Sequence, residues 1–270
     1  MPRINIEAKM LSSVNFTLLL TFAIASSSAN AATPFHACYE DKNAFPYIVG
    51  NSETILAQPG VIPEIILALG RKIPELKVQL LRMPWKRCLI SLQAGMTDVV
   101  VASYSADRAG YAAYPMLYGQ LDTTLRFDTR SYAIYKLNTS PLQWDGQKFS
   151  QLNGAIGTPL GYSIVDDLKK MGIAAEESPS ASNDFQKMQL GRVAAVIAQE
   201  KVGDLLLRQE RFGNIVKLTP LFTKKDYYVV LSKQFASQHA GLVQKIWQAV
   251  SELREQEMDD MLLKYVNLGN

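Results

Sequence analysis

From residue 35 onward, two hydrophobic periods take turns along the chain. Short runs of consecutive apolar residues alternate with stretches in which apolar residues recur every three or four positions, the signatures of buried strands and amphipathic helices. FHACY (35–39) reads as a buried strand, ended by the polar turn EDKNAFP. In VIPEIILALGRKI (61–73), Ile62, Ile65, Ile66, Leu69 and Ile73 share one face, which predicts a helix with Pro63 near its start. VQLLRM (78–83) is a strand, PWKRCLISLQAG (84–95) a helix opened by proline and closed by Gly95, and TDVVVAS (97–103) another strand. Strands separated by helices imply a parallel sheet.

After residue 140 the pattern starts again. GAIG (154–157) is a short strand and SIVDDLKKMG (163–172) a helix, with Ser163 suited to its N-cap and Gly172 to its stop. A helix at 183–190 and the strands VAAVIA (193–198) and NIVKL (214–218) follow. LQAGMTDVVVAS (92–103) and MQLGRVAAVIAQ (188–199) both read helix end, glycine, two residues, buried strand. The expected fold is therefore α/β with two similar lobes, although helix–Gly–strand is common in any α/β protein. RSYAIYK (130–136) and DYYVVLSK (226–233) are the strands that cross between the lobes, the second returning the chain to the first lobe. There the C-terminal helix packs through Leu242, Ile246, Val250 and Leu253. The lobes span 32–136 with 225–270, and 137–224.

Composition narrows the possibilities without choosing among them. The chain of 270 residues is 48% hydrophobic and 20% charged, with a net charge of +3, which is ordinary for a globular protein. No basic cluster of the kind that binds nucleic acid is present. At the N-terminus, Arg3 and Lys9 precede the apolar run FTLLLTFAIA (16–25), and Ala29-Asn30-Ala31 has the small–x–small pattern of an export cleavage site. Residues 1–31 are expected to be a signal peptide. The apolar run is too short to span a bilayer, so the product is expected to be soluble and exported. In an oxidising compartment Cys38 and Cys88 form an even pair with one possible connectivity, read either as a disulfide or as two buried thiols. The cysteines with His36 and His239 match no metal-ligand spacing, and phosphate-loop, dinucleotide and nucleophile-elbow motifs are missing. No cofactor or metal is expected.

Ligands of open α/β sheets bind beyond the carboxyl ends of the strands. The loops there are EDKNAFPY (40–47), PW (84–85), SYSADR (103–108), TPLGYS (158–163) and QE (199–200). Their carboxylates, aromatics, single arginine and helix N-terminus suit a small polar or zwitterionic molecule better than a polymer or a lipid.

The words PWKRCLISLQAGMTDVVVASYSADRAGYAAYP, LNGAIGTPLGYS, GRVAAVIAQ and YYVVLSKQF stand in the order in which extracytoplasmic solute-binding proteins of family 3 carry their counterparts. The chain resembles that family, the amino-acid-binding type serving ABC transporters, over nearly all of its length after the export signal. The resemblance implies a two-lobe type II periplasmic-binding-protein fold, each lobe a mainly parallel sheet flanked by helices. It implies that Arg108, with Tyr114 six residues on, pairs with a ligand carboxylate through its planar fork; the plain alternative is a solvated turn. Asp41 matches an acidic residue that contacts an amine or side chain, or is simply a turn former. Trp85, Phe45 and Tyr104 are implied as aromatic walls, with Ser103 at the strand end beside them. From the second lobe, the helix opening at Tyr162-Ser163 offers free N–H groups to an anion, unless Ser163 only caps its own helix.

One position departs from the family. Where amino-acid binders carry an aspartate for the ligand ammonium, this chain has Gln199, followed by Glu200. A desolvated ammonium without a counter-charge costs several kcal/mol. Either Glu200 swings in, or the ligand is not a standard α-amino acid. The expected function is capture of a small carboxylate or amino-acid-like solute by a monomeric protein and its presentation to an ABC permease. A sensor serving a membrane receptor kinase is the alternative. A dehydratase-like enzyme is disfavoured, because Asp41, Glu40 and Glu200 stand without a paired nucleophile and base.

Overall fold

The computed structural model describes residues 1–2 and 32–268; residues 3–31 of the expected export signal, with its apolar run, lie outside the described residues. The first half builds β1 (Thr33–Glu40), α1 (Val61–Lys72), β2 (Leu76–Met83), α2 (Trp85–Gln93), β3 (Val99–Ser103) and α3 (Ala106–Tyr111). Next come β4 (Asp128–Leu137), β5 (Ile156–Pro159), α4 (Ile164–Lys170), β6 (Ala175–Ser178), α5 (Ala181–Gln189), β7 (Ala195–Gln199) and α6 (Glu200–Leu207). The chain ends with β8 (Ile215–Lys217), β9 (Thr223–Ser232), α7 (Lys233–Gln238) and α8 (Ala240–Leu268).

The main sheet has ten strands, ordered β6-β5-β7-β4-β9-β3-β1-β2 along its path, with β8 beside β4 and the two-residue strand Ala112–Ala113 beside β9. β1, β2 and β3 are parallel, as are β5, β6 and β7. The long strands β4 and β9 pair antiparallel to each other in the middle and join the two parallel sets, β7 on one side and β3 on the other. This is a two-lobe α/β fold whose crossing strands belong to one hydrogen-bonded ladder. The helix–Gly–strand correspondence has a structural cause. Gly95 and Gly191 end α2 and α5 with φ of 71° and 69°, a left-handed conformation that glycine adopts without steric cost. Each turn then feeds a fully buried strand, β3 or β7.

Apolar periodicity becomes burial as expected. Ile62, Ile65, Ile66, Leu69 and Ile73 are all buried against the sheet. So are Ile246, Val250 and Leu253 of α8, with Leu242 packed at the margin. α8 runs further than its apolar stripe suggested, because Met258 and Tyr265 carry the buried face onward. The Tyr265 hydroxyl accepts from the backbone N–H of Gly60, at the start of α1, over 2.9 Å.

Three stretches differ from the sequence reading. Residues 106–108, read as part of the loop 103–108, lie in the short helix α3. Glu200 is not in a loop either, since α6 begins directly at the end of β7. Ser163 occupies the residue before α4, but its φ of −66° and ψ of −4° are already helical and its side chain makes no capping bond. Capping needs an extended residue that folds its oxygen back over the first turn.

Cys38 of β1 and Cys88 of α2 are joined in a disulfide, with Cα atoms 5.6 Å apart and a sequence separation of 50. The bridge ties the helix that begins at Trp85 to the first strand. Replacing both cysteines by alanine is expected to lower stability by about 4 kcal/mol, from the entropy of a loop of this length. Urea unfolding of both proteins under oxidising conditions checks this; coincident midpoints would show that the bridge adds nothing.

Asp184 lies on α5 with no exposed surface, packed against β5 where Gly157 has no side chain. Burial pushes its carboxyl up to about 7, while the Ser178 hydroxyl and Lys187 pull the other way. An acid whose folded pKa is raised holds its proton longer in the folded state than in the unfolded one. Its penalty is therefore absent below about pH 4, grows as pH rises and is constant above the folded pKa. Asp184→Asn is expected to raise the melting temperature by several degrees at about pH 8 and to leave it little changed at about pH 4. An equal shift at both values would show that ionisation is not the cause.

Candidate functional site

The carboxyl ends of β1, β3 and β7 place Glu40, Ser103 and Gln199 around one cavity, and the loop after β5 reaches across it with Gly161, Tyr162 and Ser163. The space between the walls is about 30 Å³, room for a few water-sized groups. The cleft is shut by hydrogen bonds from one side to the other. Trp85 Nε1 donates to the Gly161 carbonyl over 3.3 Å, and the Ser103 and Ser163 hydroxyls meet at 2.7 Å. Ser105 Oγ donates to Asp166 Oδ2 over 3.0 Å. Gly161 reaches this position with φ of 76°, in the left-handed region where glycine is favoured. Ser163 thus spends its hydroxyl on the opposite wall rather than on its own helix.

Arg108 is 5% exposed, so the solvated-turn alternative does not describe it. Its Nη1 donates to the Ser103 carbonyl over 2.6 Å and to the Tyr114 hydroxyl over 3.4 Å, and its Nη2 to the Gly161 carbonyl over 3.4 Å. Nε is buried without a hydrogen-bond partner. Among the described residues no carboxylate forms an ion pair with this guanidinium. Arginine does not give up its proton in proteins, so a full positive charge sits in the cleft wall, balanced only by neutral oxygens.

A second guanidinium lies on the cavity floor. Arg130 of β4 is 4% exposed and sandwiched between the rings of Tyr47 and Tyr227, with 3.9 Å to each centroid. Its Nε bridges both oxygens of Asp128 at 3.1 and 2.9 Å, while Nη2 is buried and unpartnered. Tyr227 also meets Gln199, whose Nε2 donates to the phenol oxygen over 2.8 Å and whose Oε1 is buried without a partner. Register explains this floor. Tyr227 of β9 stands opposite Ser103 of β3 and Asp128 of β4, and Gln199 opposite Tyr132.

Glu40 is the one acidic side chain lining the cavity. Burial pushes its carboxyl up to about 7, against the pull of the Tyr162 hydroxyl and Arg130. Tyr162 donates to its Oε1 over 2.7 Å. Burial, and then the Glu40 charge, push the Tyr162 phenol well above its ordinary value, so it keeps the proton it donates.

Of the residues proposed from sequence, Arg108, Trp85, Ser103, Tyr162, Ser163 and Gln199 line this cavity together. Asp41, Phe45 and Tyr104 do not. Asp41 is buried with Lys42 Nζ 2.9 Å from its Oδ2, and successive residues at a strand end point to opposite sides, so Glu40 takes the inward place. Phe45 sets its ring edge-on to Tyr265 at 6.4 Å, and Tyr104 is 40% exposed with its ring against Tyr114. Glu200 does not swing in; its Oε1 accepts from Lys217 Nζ over 3.0 Å. Sequence reasoning missed Arg130 and Tyr227 as site residues. The available signal was an arginine and a tyrosine inside the two crossing strands, where the chain must pass beneath any interlobe cleft.

No family model and no curated protein sequence matches the chain. Solved structures do match. A histidine kinase sensor domain with similarity to periplasmic binding proteins aligns with a TM-score of 0.69 at 16% identity, over 87% of this chain and 97% of that one. The GluR0 ligand-binding core from Nostoc punctiforme, in complex with L-glutamate, gives 0.66 at 14% identity, over 86% and 99%. The substrate-binding protein of an amino acid ABC transporter gives 0.64 at 16% identity, over 86% and 99%. At these identities the likeness is one of fold: the chain has the two-lobe α/β architecture of periplasmic-binding-protein-like domains.

Proposed function

We propose that this protein is an exported solute-binding protein that captures a small carboxylate or amino-acid-like solute between its lobes and presents it to an ABC permease. The observation that carries this reading is the Arg108 guanidinium, buried in the cleft wall and in an ion pair with no carboxylate among the described residues. A buried uncompensated cation is costly, and an incoming carboxylate removes that cost through charge-assisted hydrogen bonds. The lobes are 32–136 with 225–270, and 137–224, and they close about β4 and β9 by hinge motion. The bonds from Gly161, Tyr162 and Ser163 to the opposite wall define the closed form, and a ligand favours it only as far as it touches both sides.

Binding rather than catalysis fits the site. Of the three acidic candidates only Glu40 lines the cavity, and no serine or cysteine there is paired with a histidine. Delivery to a receptor kinase is the second reading, favoured by the kinase sensor domain of the same fold. It uses the same cleft and differs in the recipient. A permease and ATPase encoded beside this chain favour transport, and a kinase favours sensing.

Thermal-shift screening against α-amino acids and small carboxylates is expected to find compounds that raise the melting temperature. Calorimetry on such a compound is expected to show Arg108→Ala weakening binding by about 100-fold, the loss of paired charge-assisted hydrogen bonds. Unchanged affinity, or stabilisation only by ligands without a carboxylate, would refute the assignment.

A further inference from the structure

The cavity floor holds two unmet hydrogen-bonding demands of opposite kind. Among the described residues, Arg130 Nη2 is a buried donor without a partner, and Gln199 Oε1 a buried acceptor without one. Both residues meet at Tyr227: the guanidinium lies 3.9 Å from its ring centroid, and the amide Nε2 donates to its hydroxyl over 2.8 Å. Both line the cavity that Arg108 lines. Buried polar atoms are ordinarily satisfied, so this pair marks a place where another molecule supplies an acceptor and a donor side by side.

Charge selects among the groups that do so. Arg130 is already neutralised by Asp128, whose two oxygens it bridges through Nε. The Glu40 carboxylate is engaged by the Tyr162 hydroxyl. A second ligand carboxylate on the floor would meet no uncompensated cation and would turn two oxygens toward Gln199 Oε1, itself an acceptor. An ammonium would leave Arg130 Nη2 unmet and place a cation beside a cation. A carboxamide satisfies both, its carbonyl accepting from Nη2 and its N–H donating to Oε1.

We propose that Arg130 and Gln199 form a second subsite around Tyr227 that takes the neutral carboxamide of a ligand whose carboxylate sits on Arg108. This rests on the carboxylate reading of Arg108 and adds the ligand class: small acids carrying a terminal primary amide. Arg130 and Gln199 set specificity, and Arg108 supplies the anchor. The departure from an aspartate at position 199 then has a purpose, because a carboxylate there would lack the amide N–H that holds Tyr227.

The test uses protein produced from the full chain and calorimetry with two matched series, each in four- and five-carbon lengths. One is amine-free (glutaramate, glutarate and pentanoate at five carbons), and the other is of α-amino acids (glutamine, glutamate and norvaline). In the series that binds, the amide is expected to bind at least about tenfold more tightly than the dicarboxylate or the alkyl acid. Gln199→Met is expected to abolish that preference, and Arg130→Lys to reduce it about tenfold. Circular dichroism and melting curves check that both variants fold. If either does not, the preference of the unaltered protein still decides. Equal binding within a series, or tighter binding of the dicarboxylate, overturns the carboxamide subsite and leaves the Arg108 reading standing. Preference retained in Gln199→Met overturns it too. Failure of every compound in both series removes the carboxylate reading, and this inference with it.

Discussion

A permanent positive charge has been folded out of water at Arg108 with no negative side chain paired to it among the described residues, and the surrounding structure is arranged around that fact. Three neutral oxygens hold the guanidinium: the Ser103 carbonyl, the Tyr114 hydroxyl and the Gly161 carbonyl. Two come from the first half of the chain and one from the loop after β5. The charge therefore fixes the end of β3 and reaches the opposite wall with the same fork. Tyr114 reinforces this by donating to the Ser103 carbonyl over 3.0 Å. Lysine could not replace this geometry, since a single ammonium lacks the planar set of donors.

The crossing strands do more than connect. Because β4 and β9 lie in the middle of the ladder, their inward side chains become the cleft floor. Arg130 and Tyr227 are thus packed like core residues and placed like site residues. The stacked guanidinium between two phenol rings, with Asp128 behind it, is a rigid arrangement that leaves one donor edge unmet. Rigidity of this kind lowers the entropy that a ligand must spend on binding. The disulfide does comparable work at the side wall, holding α2 and so Trp85 against β1.

Closure and capture compete for the same atoms. In the shut cleft, Tyr162 uses Glu40, Ser163 uses Ser103, and Gly161 uses both Trp85 and Arg108. These bonds cross the cleft, so contacts between the walls and contacts to a ligand draw on the same donors and acceptors. The space of about 30 Å³ between the walls holds only a few water-sized groups. A ligand favours whichever arrangement of the walls it contacts more.

What the sequence determined by itself is everything that depends on neighbours along the chain. The alternation of most strands and helices, the buried faces of α1 and α8, the glycines ending α2 and α5 and the position of Arg108 after a buried strand could be read from periodicity and turn chemistry, whereas α3, β6 and α6 could not. Tertiary structure decided which side chains share a cavity. It chose Glu40 over Asp41, turned Glu200 toward Lys217, gave the Ser163 hydroxyl to Ser103 and brought Arg130 and Tyr227 beneath the ligand space. The reason is register: Tyr227 faces Ser103, and Gln199 faces Tyr132. Such pairings join residues far apart in the chain, and no local pattern of apolar and polar positions contains them.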